Sequence, residues 1–207
     1  MSVKLISISK DAEKLIAYMA RVSSPNQDNP NIKGLLKYCI KHGHWSIFEM
    51  SNMVVEINTT RAISAQIIRH RSFSYQEFSQ RYAKVNDLPT LPHLRLQDHK
   101  NRQNSIDNIN MFLKIELNKD IENLFIEIDR VYNKLLDNGV AKECARMILP
   151  MCSPTKIYMS GSIRSWIHYL QVRGGEDTQL EHRDIAIKIK EIFKLELPII
   201  YDSVFGE

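Results

Sequence analysis

Apolar residues recur along the chain with two different periods, and each change of period marks an element. Val3-Lys4-Leu5-Ile6-Ser7-Ile8 mixes β-branched and polar residues and predicts a short strand. Asp11 follows as a cap for a helix running through Tyr18 to Arg21. Residues 25–30, bounded by Pro25 and Pro30, predict a loop. A second helix begins at Asn31, with Leu35, Leu36 and Ile40 apolar and Gly43 as its stop. Met53, Val55 and Ile57 then alternate with Val54, Glu56 and Asn58, the period of a strand. Residues 61–70 return to a helical pattern. Ile63 and Ile67 lie four apart for the core, while Gln66 and Arg69 share another face.

Beyond Ser72 the periodicity breaks. An extended run over 77–81 would point Glu77, Ser79 and Arg81 to one side, and Phe78 and Gln80 to the other. Pro89, Pro92 and the mixed polar residues up to Gln103 predict a surface loop, after which Ser105 caps a long helix. The stripe of that helix is Ile121, Leu124, Phe125, Ile128, Tyr132 and Leu135, and Gly139 ends it. Residues 143–149 predict a further helix closed by Pro150, and 161–172 another, with Arg164 and His168 four apart. The last long helix spans about 178–195. No internal repeat or low-complexity linker divides the chain. Residues 1–207 therefore read as a single mixed α+β domain, rich in helix, with a small, mostly antiparallel sheet.

Composition narrows the class. With 207 residues and 43% apolar content, the chain can bury a core. Its formal charge of +4 suits anionic small molecules as well as nucleic acid, so charge alone does not choose. Cys39, Cys144 and Cys152 are odd in number and widely spaced, which favours a reducing cytoplasm without structural disulfides. No apolar run approaches the ~20 residues a membrane span needs. A soluble, cytoplasmic protein is expected.

The densest chemistry lies in Arg69-His70-Arg71-Ser72-Phe73-Ser74-Tyr75-Gln76-Glu77-Phe78-Ser79-Gln80-Arg81-Tyr82. Folding does not call for so many guanidinium groups together, since arginine is costly to bury. Guanidinium instead matches phosphate and carboxylate oxygens through paired hydrogen bonds, so the segment reads as an anion site. No GxGxxG follows a strand and no Walker loop is present, which argues against a Rossmann-type dinucleotide site. His42 and His44, without further ligands at metal spacing, do not define a metal site. Ser79 lacks any Ser-His-Asp arrangement readable in sequence, so hydrogen bonding to a ligand is favoured over nucleophilic attack. Cys152 reads as a small structural residue.

Arg69-His70-Arg71 followed after seven residues by Ser79 resembles the signature of the flavin-dependent thymidylate synthases, and Ser79-Gln80-Arg81-Tyr82 is similar to that family too. Further blocks resemble it in order: Ala20-Arg21-Val22-Ser23, His42-Gly43-His44-Trp45-Ser46-Ile47-Phe48-Glu49, Ala145-Arg146-Met147-Ile148-Leu149-Pro150, and Ser162-Ile163-Arg164 through Arg173 to Gln179. The resemblance implies reductive methylation of dUMP to dTMP, with bound FAD, methylenetetrahydrofolate as carbon donor and NADPH as reductant. It implies that dUMP is held by Gln66, Arg69, Glu77, Ser79, Gln80, Arg81, Arg146 and Arg173, and that Arg173 activates the pyrimidine. It places FAD against Ser23, His44, Ser46, Arg69, His70, Arg71, Glu77, Ser162, Arg164 and His168. It also implies a homotetramer with sites at subunit interfaces. Met50 and Asp177 stand where the family commonly has histidine, and Ser162 where many relatives have asparagine. Two other readings remain open at this point: a nucleic-acid-binding basic module, and a flavin reductase without methyl transfer. Against the first, few aromatics interleave the arginines and Glu77 opposes a polyanion.

Overall fold

The computed structural model of the chain describes residues 1–87 and 89–206. Its elements run β1 (Ser2–Ile8), α1 (Ala12–Ala20), α2 (Lys33–Lys41), β2 (Asn52–Thr60), α3 (Arg61–Ile67), β3 (Ser74–Glu77), β4 (Leu96–Gln97) and β5 (Ser105–Ile106). Then come α4 (Met111–Asp137), α5 (Lys142–Ala145), β6 (Pro154–Ser162), α6 (Ile163–Arg173), α7 (Leu180–Glu196) and α8 (Pro198–Phe205). Short 3₁₀ helices occupy Trp45–Met50 and Arg146–Ile148. Helices dominate, and a small antiparallel sheet with strand order β1-β2-β6-β3 completes an α+β fold. A separate antiparallel ladder pairs Leu96 with Ile106 and Gln97 with Ser105.

Backbone contacts gather the described residues into two compact units: residues 1–57, 68–76 and those from Tyr158 onward, and residues 58–67 with 77–157. In the first unit, Met53, Val55 and Ile57 of β2 are buried at a period of two, and Met159 of β6 joins them in the core. Helix α6 buries Ile163, Trp166, Ile167, Tyr169 and Leu170. The Trp166 indole, fully enclosed, donates to the Met53 carbonyl at 3.0 Å and so loses no hydrogen bond on burial. Helix α7 adds Ile185, Ile189 and Phe193, and packs on α6 and α8. Helix α8 starts at Pro198, where a missing N–H costs nothing, and the Glu13 carboxylate accepts from the Ile200 amide at 2.8 Å. In the second unit, Tyr132 of α4 packs with Val85 and Ala145, flanked by Leu135, Leu136, Val140 and Leu149. The Tyr132 hydroxyl accepts from the Val85 amide at 3.3 Å.

Several local expectations are corrected. Asp11 precedes α1 in the left-handed region (φ 49°) and makes no side-chain cap; its carboxylate lies 3.6 Å from Lys14 instead. Helix α3 stops at Ile67, so Arg69 is not on a helical face with Gln66. The His70 carbonyl takes the Tyr75 hydroxyl at 2.7 Å and the Phe73 amide at 3.3 Å, turn bonds that replace the helical ladder. Residues 77–81 are not one extended run. Phe78 still bonds the Lys156 carbonyl at 2.9 Å, but the Ser79 carbonyl then accepts from the amides of Tyr82 and Ala83, which is a turn. Glu77, Ser79 and Arg81 therefore share no strand face.

Residues 89–103 contain β4, and Ser105 lies in β5, where its hydroxyl accepts from Arg95 Nε at 2.7 Å. The long helix is capped by Asn110, whose side chain accepts from the amides of Phe112 and Leu113. The expected helix over 143–149 divides into α5 and the 3₁₀ helix Arg146–Ile148. Gly161, expected in a helix, ends up in β6. Strand β6 and helix α8 were not anticipated, although Thr155, Ile157 and Met159 alternate with Lys156 and Tyr158 as β6 requires.

Candidate functional site

In the first unit, residues 69–73 form a turn anchored by the buried Phe73. Phe73 is wedged against Trp166 and Tyr169, with ring centroids 4.7 and 5.8 Å away. Anchoring Phe73 turns His70 inward, half-buried, and leaves Arg69 and Arg71 exposed. His70 Nε2 accepts a hydrogen bond of 2.7 Å from Nε of Arg173, the last residue of α6. Tyr169, one turn earlier on α6, sets its ring edge-on to His70 at 4.9 Å. Burial, then the positive charges of Arg173 and His168, push the His70 pKa down to about 4. His70 is therefore neutral at working pH and offers a lone pair, which is the state an acceptor for a guanidinium must have.

The outer side of α6 opens onto a cavity of about 460 Å³ lined by Trp45, Glu49, Ser72, Arg164, Ser165, Ile167, His168 and Gln171. Arg164 contacts Glu49 at 3.1 Å. The two residues expected four apart on one helix face, Arg164 and His168, thus reach the same cavity. Ser162 caps α6, its hydroxyl accepting from the Ser165 amide at 3.3 Å. His44 and Ser46 are exposed at the start of the 3₁₀ helix Trp45–Met50, and Ser23 is exposed in the turn after α1. None of these three lines the cavity. Arg21, in the same block as Ser23, ties down the following loop by donating to the carbonyls of Asn29 and Asn31, both at 2.6 Å.

In the second unit Glu77 is the focus. Its Oε1 accepts from Ser64 Oγ at 2.6 Å, from Thr155 Oγ1 at 2.9 Å and from the Arg61 guanidinium at 2.5 Å. Three donors on one oxygen fix the carboxylate's orientation. Arg81 pairs with Glu143 at 3.1 Å, both largely exposed, so this pair contributes little to stability. Glu143 thus faces Arg81. Gln80 is 7% exposed, and its Nε2, like the buried Nε of Arg146, has no protein acceptor. Buried donors without acceptors are what an acceptor-rich ligand satisfies. Ser79 is exposed in the turn, and Gln66 is half-buried on α3. Cys152 is half-buried, and burial pushes its thiol pKa up, which disfavours the thiolate a nucleophile needs.

The thymidylate synthase complementing protein family matches this chain over residues 4–199. The chain belongs to that family. It is 53% identical over 209 residues to the probable flavin-dependent thymidylate synthase of Paramecium bursaria Chlorella virus 1, covering 97% of each. It is 49% identical over 210 residues to the flavin-dependent thymidylate synthase of Synechocystis sp., again covering 97% of each. Among solved structures, the UMP/dUMP methylase PolB from Streptomyces cacaoi bound with 5-Br dUMP matches with a TM-score of 0.86. That match covers 98% of this chain and 93% of the other at 22% identity, and carries the fold.

Among the residues a flavin-dependent synthase fold brings together here, several escaped sequence reading. Glu49, Gln171, Ser72 and Ser165 line the α6 cavity, and Ser64, Thr155 and Arg61 hold Glu77. The donor set around the cavity fits a flavin dinucleotide: an indole wall, a guanidinium, an imidazole and an amide supply stacking surface and donors for its polar rim.

Proposed function

We propose that the chain is a flavin-dependent thymidylate synthase that converts dUMP to dTMP, with FAD bound, methylenetetrahydrofolate as carbon donor and NADPH as reductant. The observation that carries this reading is the family match over residues 4–199 together with relatives of 49% and 53% identity along 97% of the chain. Among solved structures of the same fold is a methylase of UMP and dUMP, the chemistry this reading assigns.

In this reading bound FAD supplies the redox chemistry that carries two electrons from NADPH to the transferred carbon. The chain's residues position the ligands and hold charge. Arg164 and His168 belong to the flavin side, with Gln171 and Trp45 beside them. Gln80 and Arg146 offer their unpartnered donors to dUMP, and Glu77, locked by Ser64, Thr155 and Arg61, accepts from it through its remaining oxygen. Arg173 stabilises negative charge developing on the pyrimidine. Neutral His70 fixes the direction of its guanidinium without competing for the charge. Residues 1–207 act as one functional domain, and the active form is a homotetramer in the cytoplasm. The free cysteines support the location, and the exposed apolar side chains of α4 support the assembly.

A polyanion-binding reading is less supported, because Arg61, Arg81 and Arg164 are each paired with a carboxylate. The test uses purified protein with dUMP carrying tritium at the carbon to be methylated. Tritium release that depends on methylenetetrahydrofolate and NADPH is expected from a yellow protein. A colourless chain that ignores added FAD sinks the flavin reading, and a yellow chain that oxidises NADPH without tritium release favours a reductase. Arg173→Ala is expected to cut tritium release by about 10²-fold or more while retaining flavin. Loss of flavin together with activity would refute the division of labour between Arg173 and the α6 cavity.

A further inference from the structure

Behind the contact between His70 and Arg173 lies a second, fully enclosed pair. Tyr169 and His182 are both 0% exposed, and the Tyr169 hydroxyl is 3.0 Å from His182 Nε2. Tyr169 comes from α6, and His182 is the third residue of α7. Both rings stand nearly perpendicular to the His70 imidazole, at 4.9 and 6.3 Å. Phe73 and Trp166 close the other sides of Tyr169, each with a ring centroid 5.8 Å away. A buried histidine and tyrosine cost more at a core position than an aliphatic side chain unless they satisfy each other, and a satisfied pair fixes ring orientation as an aliphatic side chain cannot.

We propose that Tyr169 and His182 are positioning residues that, through His70, fix the guanidinium of Arg173. The proposal rests on the reading that Arg173 faces the pyrimidine of dUMP. The hydrogen bond between Tyr169 and His182 locks the phenol ring. The locked ring edge leaves His70 one orientation, with Nε2 toward Arg173, and the Tyr75 hydroxyl holds the His70 backbone carbonyl at 2.7 Å. His70 can then accept from Arg173 Nε, and the guanidinium keeps its other N–H groups for the ligand. His182 is held neutral by the same surroundings: burial and the cationic Arg173 push its pKa down to about 4. The pair therefore brings no positive charge to compete with Arg173.

The test uses full-length, FAD-loaded enzyme carrying Tyr169→Phe, His182→Phe or His182→Gln. Tyr169→Phe and His182→Phe are expected to lower kcat for tritium release about tenfold or more, with flavin content intact and KM for dUMP within about threefold, since misplacing a group by an ångström costs up to ~10²-fold. His182→Gln, whose amide still reaches the Tyr169 hydroxyl, is expected to recover most of the rate. In an Arg173→Lys background the same changes are expected to add little, because the group being positioned has gone. Wild-type kcat in both phenylalanine variants overturns the proposal, as does a loss that multiplies fully with Arg173→Lys. If His182→Phe does not fold, Tyr169→Phe, which keeps every ring contact, decides alone. An independent readout is the Arg173 Nε–H in enzyme with nitrogen-labelled arginine. Slow solvent exchange that becomes fast in Tyr169→Phe supports positioning even if dUMP proves not to be the substrate. Absence of tritium release from wild type refutes the substrate alone.

Discussion

Two imidazoles in this chain are held neutral by their surroundings, and that has a thermodynamic sign. His70 and His182 each have a pKa pushed from 6.5 to about 4, chiefly by burial and next by the charge of Arg173. Between pH 6.5 and about 4 the unfolded chain binds more protons at these positions than the folded one. Stability therefore rises with pH across that window, is full above 6.5, and is lost as pH falls toward 4. Each histidine contributes at most about 1.4 kcal/mol per pH unit, and less for partly exposed His70. The melting advantage of wild type over His182→Phe is expected to be largest at neutral pH and to shrink on acidification. A gap that stays constant, or widens toward pH 4, would contradict the neutral-histidine assignment. This layer was not legible in the chain. The run from Arg69 to Arg81 marks a concentration of anion-binding groups, and the spacing of Arg164 and His168 places both at one cavity. The bond between His70 and Arg173 joins residues 103 apart, and Tyr169 meets His182 only because α6 packs on α7. No local period encodes either pairing.

At the scale of elements, the join between β6 and α6 sets the inward face of the arginine-rich turn. Gly161, the residue before the α6 cap, lies directly against the Phe73 ring: a Cβ there would sit 2.4 Å from Phe73 Cδ1 and 2.6 Å from Cε1. The ring cannot move aside freely, because Trp166 and Tyr169 flank it. Gly161→Ala is therefore expected to destabilise the fold by about 1–3 kcal/mol, the usual cost of overpacking, and to disturb the turn carrying His70. Urea melts with an unchanged midpoint would show that the contact has more room than this geometry allows. Most of the helices were legible from their 3.6-residue period because each buries one stripe. Strand β6 was masked in the sequence despite its alternation, since Pro150 and Ser153 before it and Pro154 and Gly161 within it read as punctuation. The turn at 79–83 was misread as extended because three polar residues two apart imitate a strand face, whereas the buried member is Gln80.

On the scale of the whole molecule, the longest helix is the least covered. Helix α4 runs 27 residues yet buries only Phe125 and Tyr132 among its described side chains. Met111 is 69% exposed, Phe112 81%, Ile115 57%, Leu124 56% and Ile126 60%. Isolated apolar side chains on a surface need no explanation, but Met111, Phe112 and Ile115 are exposed together within two turns at one end of this helix, as at an interaction surface. In the proposed homotetramer, copies of the chain would meet on this helix and cover it. The expected solution mass is then about four times the 24.1 kDa of one chain. Phe112→Glu with Ile115→Glu places two charges in the apolar stretch without touching the buried residues Phe125 and Tyr132. Light scattering is expected to show a smaller species for this double variant, with the far-ultraviolet circular dichroism of the wild type. If each active site needs more than one copy, tritium release falls in step with the loss of tetramer and returns at higher protein concentration. A variant that remains tetrameric and fully active removes α4 from the interface. A wild-type chain that runs as a monomer at assay concentration, yet turns over dUMP, removes the assembly from the mechanism.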